Sequence, residues 1–229
     1  RMVAHRGLSG VETENTIAAF IAAANRSYYG IETDIHRTKD GKYVCLHDDN
    51  TFRVAGVDCN VNEHTYDEII KIHFTDTSKG NGPRQDLRIP TLEDYISICR
   101  RYGKHSVLEL KDAFSTEQIA EIIGIVKSLG HLENTTFITF IPMNLFILRQ
   151  LLPTQSVMLL SDRLDDEVKE GIVKYNLDID ILFTVLDEEK MKWLKSHGKT
   201  VNCWTVDSEV DAEKLAKLGV DFITTNILE

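Results

Sequence analysis

Short β-rich runs alternate with amphipathic helical segments along this chain, a pattern that predicts an α/β domain with a parallel sheet. Strands are predicted at residues 2–5, 31–35, 107–110, 136–140, 157–160, 179–183, 200–204 and 221–224. Every strand except the last is followed by a predicted helix with apolar residues three and four positions apart; one begins with a capping box, Ser115 and Gln118. Eight strands are the number that closes a barrel, so we predict a (β/α)8 TIM barrel.

One segment departs from this alternation. Residues 43–47 form a further β-like run, and the Asp40-Gly41 turn before it predicts a hairpin with the second strand. Residues 49–88 are rich in Asn, Asp, Thr and Gly and contain one weak helical stretch, at 66–72, so we interpret them as an insertion after the second strand. We predict a single catalytic domain over residues 1–229, because a barrel typically takes about 250 residues. A doubly wound open sheet would show the same alternation, but the chain lacks the Gly-rich phosphate loop that would favour it.

Composition narrows the classes of function. Acidic residues outnumber basic ones, 36 to 26, for a formal charge of −10. This balance argues against nucleic acid as a partner and is compatible with an acidic cation site, although acidity can also serve solubility alone. The four cysteines lack a CxxC spacing and are expected to be reduced thiols. The longest apolar stretch, 17–24, is shorter than the ~20 residues of a membrane span, and no signal peptide is recognised, so we expect a cytoplasmic protein. The sequence is compatible with a homo-oligomer and does not define the oligomeric state.

Three carboxylates lie at the ends of neighbouring predicted strands, where barrel enzymes carry their active groups. Glu32 and Asp34 share one face of the second strand, roughly 6.6 Å apart, and Glu109 ends the third. Carboxylates that converge repel one another unless a cation lies between them, and hard oxygen ligands favour Mg2+ or Ca2+. The alternative is that each carboxylate pairs with a nearby Arg or Lys; three at adjacent strand ends favour the metal.

Histidines and fixed cations accompany these carboxylates. His5 and His47 each follow an apolar strand, and histidine can transfer protons near neutral pH. Arg6 and Lys111 supply positive charge suited to a phosphate, although ion pairs with Glu32 or Glu109 are an alternative for both. The other histidines, which include His36, occur in polar or loop contexts, and no role is predicted for them.

The chain resembles the glycerophosphodiester phosphodiesterases along nearly its whole length. The motifs that match this family, in order, are His5-Arg6-Gly7, Glu14-Asn15-Thr16, Glu32-x-Asp34, Thr38-Lys39-Asp40-Gly41, His47-Asp48, Ile89-Pro90-Thr91-Leu92-Glu93, Glu109-x-Lys111, Trp204-Thr205-Val206 and Gly219-Val220-Asp221-Phe222-Ile223-Thr224. Each motif alone is weak, but the ordered set is specific. The departures are Asp207, where the family has Asn, Thr139 in place of Ser, and Thr225-Asn226, where an Asp is usual.

The resemblance implies both a reaction and a role for each candidate residue. Glu32, Asp34 and Glu109 would hold one divalent metal, Mg2+ or Ca2+, and His5 and His47 would be the acid–base pair. Arg6 and Lys111 would bind phosphate, while Phe140 and Trp204 would pack against glycerol unless they belong to the core. In such enzymes the glycerol hydroxyl next to the phosphate attacks phosphorus. Water then opens the cyclic phosphate to give glycerol 3-phosphate.

Three other functions are alternatives to this one. A lysophospholipase D-like or glycerophosphoinositol-type activity would use the insertion as the deciding surface, and the polar residues there favour small, water-soluble substrates such as glycerophosphocholine or glycerophosphoethanolamine. A non-catalytic phosphodiester-binding relative would be expected to have lost His47 or a carboxylate. A metal-dependent sugar isomerase would need more His, Asp and Glu ligands on the fifth to eighth strands, which end in apolar or aromatic residues.

Overall fold

A computed structural model describes residues 1–76 and 82–229 and contains the predicted barrel. Eight parallel strands surround its interior: β1 Met2–Ala4, β2 Gly30–Arg37, β4 His105–Leu110, β5 Thr135–Thr139, β6 Val157–Ser161, β7 Asp178–Leu182, β8 Val201–Trp204 and β9 Phe222–Thr225. The barrel is closed because β1 pairs with both β2 and β9. The predicted hairpin arm is β3, Tyr43–Cys45, which runs antiparallel to β2.

Helices cover the outside of the barrel, and two short ones lie in the segment that follows β3. Their bounds are α1 Ile17–Ala24, α2 Phe52–Ala55, α3 Tyr66–Ile69, α4 Leu92–Tyr102, α5 Thr116–Ser128, α6 Pro142–Leu151, α7 Asp166–Lys174, α8 Glu188–Ser196 and α9 Glu209–Leu218. The capping box predicted from Ser115 and Gln118 is confirmed at the start of α5. Thr91 and Asp94 form the same arrangement at the start of α4, and Thr65 and Glu68 form it at the start of α3, so these helices begin where side chains satisfy free backbone N–H groups.

Strand alternation decides which residues reach the helices and which reach the barrel interior. Ile31 and Ile35 lie in the main core between sheet and helices, as predicted, and so do Leu108 and Leu110. The alternate residues of β2 and β4 therefore point into the barrel. The predicted bounds of the second strand, 31–35, were wrong: β2 continues through Arg37, so His36 lies in the strand and its side chain is buried.

The segment between β3 and α4 packs over one end of the barrel and has a small apolar core of its own. That cluster includes Val54, Ile69, Phe74 and Leu87. The segment contains the helical turn α2, which was not predicted, and α3, which lies within the predicted helical stretch. Residues 77–81 of the predicted insertion lie outside the described residues. The limits 49–88, and a single catalytic domain over 1–229, stay predictions.

A polar layer crosses the middle of the barrel interior. The Nδ2 group of Asn202 donates to Oδ2 of Asp180 at 2.9 Å and also to Oγ1 of Thr224 at 2.9 Å. Among the described residues no group donates to Oδ1 of Asp180, and no cation contributes to its environment. Burial therefore raises the pKa of Asp180 to about 7.

We expect Asp180→Asn to stabilise the protein at pH 8 and to have little effect at pH 4. The folded carboxyl keeps its proton up to about pH 7, whereas the unfolded one loses it near pH 4, so stability falls as pH rises through this window. Asparagine has no proton to lose, and the gain at pH 8 is at most about 4 kcal/mol. Urea unfolding at both pH values measures it. Asp166→Asn, at an exposed helix position, is the control, and an equal effect at both pH values would contradict the prediction.

Candidate active site

Three carboxylates converge at the carboxyl end of the barrel strands. Glu32 and Asp34 extend inward from β2, and Glu109 extends inward from β4, where it pairs in register with Asp34. One oxygen of each lies within 4.8 Å of the others, and all three residues are buried. Among the described residues, these three form the one cluster of acidic, His or Cys side chains that is close enough to hold a metal ion.

The electrostatics of the three carboxylates differ. Burial, and then the charge of Asp34, raises the pKa of Glu32 well above its ordinary value. The same causes raise the pKa of Glu109 to about 8. Burial acts in the same direction on Asp34, but Arg6 and Lys111 outweigh it and lower its pKa. A divalent cation would favour the charged form of all three, and their oxygen donors suit Mg2+ or Ca2+.

The two cations predicted from sequence do lie against the carboxylates. The Lys111 Nζ atom is 3.1 Å from Glu109 Oε1 and 3.6 Å from Asp34 Oδ1. Lys111 therefore forms the ion pair with Glu109 that was the alternative to a role in phosphate binding. The Arg6 guanidinium lies 3.5 Å from Asp34 and 2.9 Å from Glu14, whereas its backbone N–H donates to Glu32. Both cations therefore border the carboxylate group.

The loop after β1 brings Arg6 to this position. Arg6 has a φ of 55° and Gly7 a φ of 76°, so the chain turns sharply where the strand ends. A Cβ atom at Gly7 would lie 2.6 Å from the backbone of Ala19. Glycine is therefore required there for the loop to pack on α1, which explains the third residue of the His5-Arg6-Gly7 motif in physical terms.

His5 is held in one tautomer by a residue near the end of the chain. Its Nδ1 lies 2.7 Å from Oδ1 of Asn226, whose Nδ2 donates to Asp207 and whose Oδ1 must therefore accept. The proton of neutral His5 is thus on Nδ1, and Nε2, which lies 4.0 Å from Glu32, keeps its lone pair. Burial, and then Arg6, lowers the pKa of His5 to about 4.

His47 is oriented by a chain of charged groups. Its Nδ1 lies 2.6 Å from Oδ1 of Asp48, and Arg53 of α2 donates to the other oxygen of Asp48 at 2.6 Å. Arg53 also contacts Glu14, the carboxylate that holds Arg6. Burial lowers the pKa of His47, and this effect outweighs the upward effects of Asp34 and Asp48.

Several positioning residues were missed by the sequence analysis. Asn15 donates to Asp34 at 2.8 Å and accepts from Thr33 at 2.7 Å, which fixes its amide orientation. Sequence had placed Asn15 in a motif without a role; its position before a helix was the available signal. Arg53, inside the insertion, gave no signal at all.

His36 was assigned no role, yet it contacts the backbone of a candidate catalytic residue. Its two ring nitrogens face Oδ1 of Asp112, at 2.7 Å, and the carbonyl oxygen of His47, at 3.1 Å. Both are acceptors, so the protonated ring satisfies both. Burial lowers the pKa of His36, but Asp112 outweighs burial and the net shift is upward.

Two aromatic side chains lie at the carboxyl ends of β5 and β8. Phe140 follows β5 and is 47% exposed, and Trp204 ends β8 and is half-buried. Their ring centroids are 5.9 Å apart in an edge-to-face arrangement. Phe140 is therefore not a core residue, which was the alternative for it.

Fold and site together are those of a (β/α)8-barrel phosphodiesterase. The chain belongs to the glycerophosphoryl diester phosphodiesterase family, whose model matches residues 5–229, and it is an enzyme of this class. The predicted resemblance is thereby confirmed.

Named relatives agree with this assignment. A glycerophosphodiester phosphodiesterase of Bacillus subtilis is 30% identical over 98% of this chain and 82% of its own length. The structure of an Oleispira antarctica phosphodiesterase, solved with the product sn-glycerol-3-phosphate, has a TM-score of 0.89 and 25% identity, covering 99% of this chain and 92% of that one. A glycerophosphodiester phosphodiesterase structure from Parabacteroides distasonis has a TM-score of 0.80 and 26% identity, covering 99% and 92% of the two chains.

The cysteines and the helices bear on compartment and membrane association. The four cysteines are free and buried, as expected from their spacing. Within residues 1–76 and 82–229, no helix combines the length and the apolar character needed to cross a membrane.

Proposed function

We propose that this enzyme hydrolyses small glycerophosphodiesters, such as glycerophosphocholine or glycerophosphoethanolamine, to an alcohol and glycerol 3-phosphate with one bound divalent cation. The observation that carries the proposal is the buried group Glu32, Asp34 and Glu109, whose oxygens lie within 4.8 Å of one another beside His5 and two fixed cations. The product bound in the Oleispira antarctica structure supports glycerol 3-phosphate as the product here.

The three carboxylates would hold the cation, Mg2+ or Ca2+. When bound, such an ion stabilises negative charge on phosphate oxygens and on the attacking hydroxyl. Lys111 and the guanidinium of Arg6 add fixed positive charge at the same mouth, so the developing charge on phosphorus-bound oxygens is offset without movement of the protein. Phe140 and Trp204 would contact the apolar edge of glycerol.

The two histidines divide the proton transfers. His5, with its proton on Nδ1, has Nε2 free to accept a proton from the glycerol hydroxyl next to the phosphate. That hydroxyl oxygen bonds to phosphorus while the bond to the alcohol oxygen breaks. His47, which the adjacent Asp48 orients through Nδ1, donates a proton to the leaving alkoxide. In the second step the roles reverse, and water opens the cyclic phosphate.

Removal of the metal should abolish activity. We expect no release of glycerol 3-phosphate from glycerophosphocholine after chelation, and recovery when Mg2+ or Ca2+ is restored, because the three carboxylates repel one another and phosphate without a cation. A coupled assay for glycerol 3-phosphate measures this, and the ion that restores more activity identifies the preferred metal. Undiminished hydrolysis after chelation, confirmed by metal analysis of the protein, would contradict the metal assignment.

A further inference from the structure

The main chain around His47 is attached to β2 by a side chain as well as by backbone hydrogen bonds. β3 ends at Cys45, and the next backbone N–H, that of Leu46, donates to the carbonyl of Asp34 at 3.1 Å. The carbonyl oxygen of His47 lies 3.1 Å from Nε2 of His36. A carbonyl group in a loop needs a hydrogen-bond partner, and here a buried side chain of the strand supplies it.

The ring of His36 is itself held from its other side. Its Nδ1 lies 2.7 Å from Oδ1 of Asp112, whose Oδ2 accepts from the backbone N–H of Arg37 at 2.9 Å. Asn144 of α6 is fully buried; its amide group donates to the Asp112 carbonyl at 2.8 Å, and its oxygen accepts from the N–H of Phe114 at 3.1 Å. The carboxylate and the backbone of Asp112 are therefore held by separate groups, which makes Asp112 a firm support for the ring.

His36 lies too deep to react with a substrate directly. Its side chain is 7% exposed, whereas the side chain of His47 is 33% exposed. Both ring nitrogens of His36 already have partners within hydrogen-bond distance, so neither is free to exchange a proton with a bound molecule. Any effect of His36 on the reaction must therefore be transmitted through His47.

We propose that His36 is a positioning residue, which fixes the main chain of His47 so that the His47 ring reaches the leaving group. This inference rests on the proposed function, in which His47 donates a proton to the leaving alkoxide. Asp48 orients the His47 ring, but it is the next residue in the chain and would move together with His47. Arg53 holds this pair from the segment over the barrel mouth, and His36 holds it from the barrel itself.

Loss of the contact from His36 should lower kcat and leave KM little changed. The change removes none of the groups proposed to bind phosphate or metal, so substrate should bind as before. A displacement of about 1 Å of a reacting group can lower a rate about a hundredfold, so we expect kcat to fall by roughly ten- to a hundredfold.

Two conservative variants separate the two ring nitrogens. The amide nitrogen of Gln extends about as far as Nε2 of histidine, so His36→Gln keeps a donor for the His47 carbonyl. The amide nitrogen of Asn extends only as far as Nδ1, so His36→Asn keeps the contact with Asp112 alone. We expect the full loss of kcat on glycerophosphocholine in His36→Asn and a much smaller loss in His36→Gln. His197→Asn, on the barrel exterior, is the control and should be unchanged.

The leaving group distinguishes a positioning role from a purely structural one. A nitrophenyl ester of glycerol phosphate releases a weakly basic alcohol that needs no proton, so His36→Asn should lose much less activity on this ester than on glycerophosphocholine. Calorimetric titration with Mg2+ should give an unchanged affinity. Asp112→Ala removes the support of the ring without altering His36, and it should show the same dependence on the leaving group.

Equal losses on the two esters in His36→Asn, or a fall in Mg2+ affinity that accompanies them, would overturn the positioning role and leave the proposed function standing. So would unchanged kcat in His36→Asn, or losses of equal size in His36→Asn and His36→Gln. If His36→Asn does not fold, Asp112→Ala decides: a loss confined to glycerophosphocholine supports the role, and any other result overturns it. Inactivity of the wild type on both esters would overturn the proposed function, and this inference with it.

Discussion

Replacement of His47 by alanine should lower kcat by roughly two to four orders of magnitude, the usual cost of losing a positioned acid or base. His47 is held by Asp48, which in turn is held by Arg53, so its ring is fixed before substrate binds. Its loss leaves the leaving alkoxide without a proton donor while the carboxylates and both cations remain in place. We therefore expect the change in kcat with little change in metal affinity.

The leaving group makes this prediction sharper. A substrate whose alcohol is a weak base, such as a nitrophenol, needs no proton, so His47→Ala should cleave a glycerophospho-nitrophenyl ester with a much smaller loss. His197→Ala, on the barrel exterior after α8, is the matched control and should be neutral. An equal loss on the nitrophenyl and choline substrates would show that His47 does not act as the acid.

Replacement of Glu109 by glutamine should have opposite effects on metal binding and on stability. It removes one of three charges around the cation, so affinity for Mg2+ or Ca2+ should fall by about one order of magnitude or more. Activity should fall with it. In chelator, however, the variant should be more stable than the wild type at pH 9. Burial and Asp34 raise the pKa of Glu109 to about 8, so ionising this group above that pH destabilises the folded protein.

Calorimetric metal titration and urea unfolding in chelator measure the two effects. The alternative, in which Glu109 serves only as the ion-pair partner of Lys111, predicts a less stable variant with unchanged metal binding. Glu121→Gln, on the outside of α5, is a control that should leave metal binding unaltered. Activity that survived chelation and Glu32→Gln alike would show that the metal assignment is wrong.

The segment over the barrel mouth contributes directly to the site. Arg53 in α2 contacts both Glu14 and Asp48, and these two carboxylates hold Arg6 and His47. Positive and negative groups alternate along this series of contacts, so each charged side chain lies next to one of opposite charge. A side chain of the predicted insertion therefore links Arg6 to His47, the candidate proton donor, through these two carboxylates.

Three of the departures from the family pattern, Asp207, Thr225 and Asn226, contact one another in the folded chain. Asp207 accepts from the Thr225 hydroxyl and from both the backbone and side-chain amides of Asn226. Asn226 in turn orients His5. Along the sequence Asp207 is 18 positions from Thr225 and 19 from Asn226. In space they form one group, and that group sets the tautomer of a candidate catalytic histidine.

The sequence by itself determined the barrel and the place of the site. Strand periodicity is a local property, so the alternation of Ile31 with Glu32, and of Leu108 with Glu109, was enough to predict which side chains point inward. Parallel strands present their carboxyl ends at one mouth, so residues at those ends had to meet there. The extent of β2 was harder to predict, because His36 is a polar residue whose burial depends on Asp112, 76 positions away.

Only the tertiary structure decided how each group is held. Asn226 lies 221 positions from His5 and reaches it because β9 pairs with β1 when the barrel closes. The solitary carboxyl of Asp180 likewise depends on which neighbours closure brings near, and on which it leaves apart. Local patterns encode the direction of a side chain relative to its own strand. Its partners, its protonation and the open space beside it are set by strand register and helix packing, which no local pattern contains.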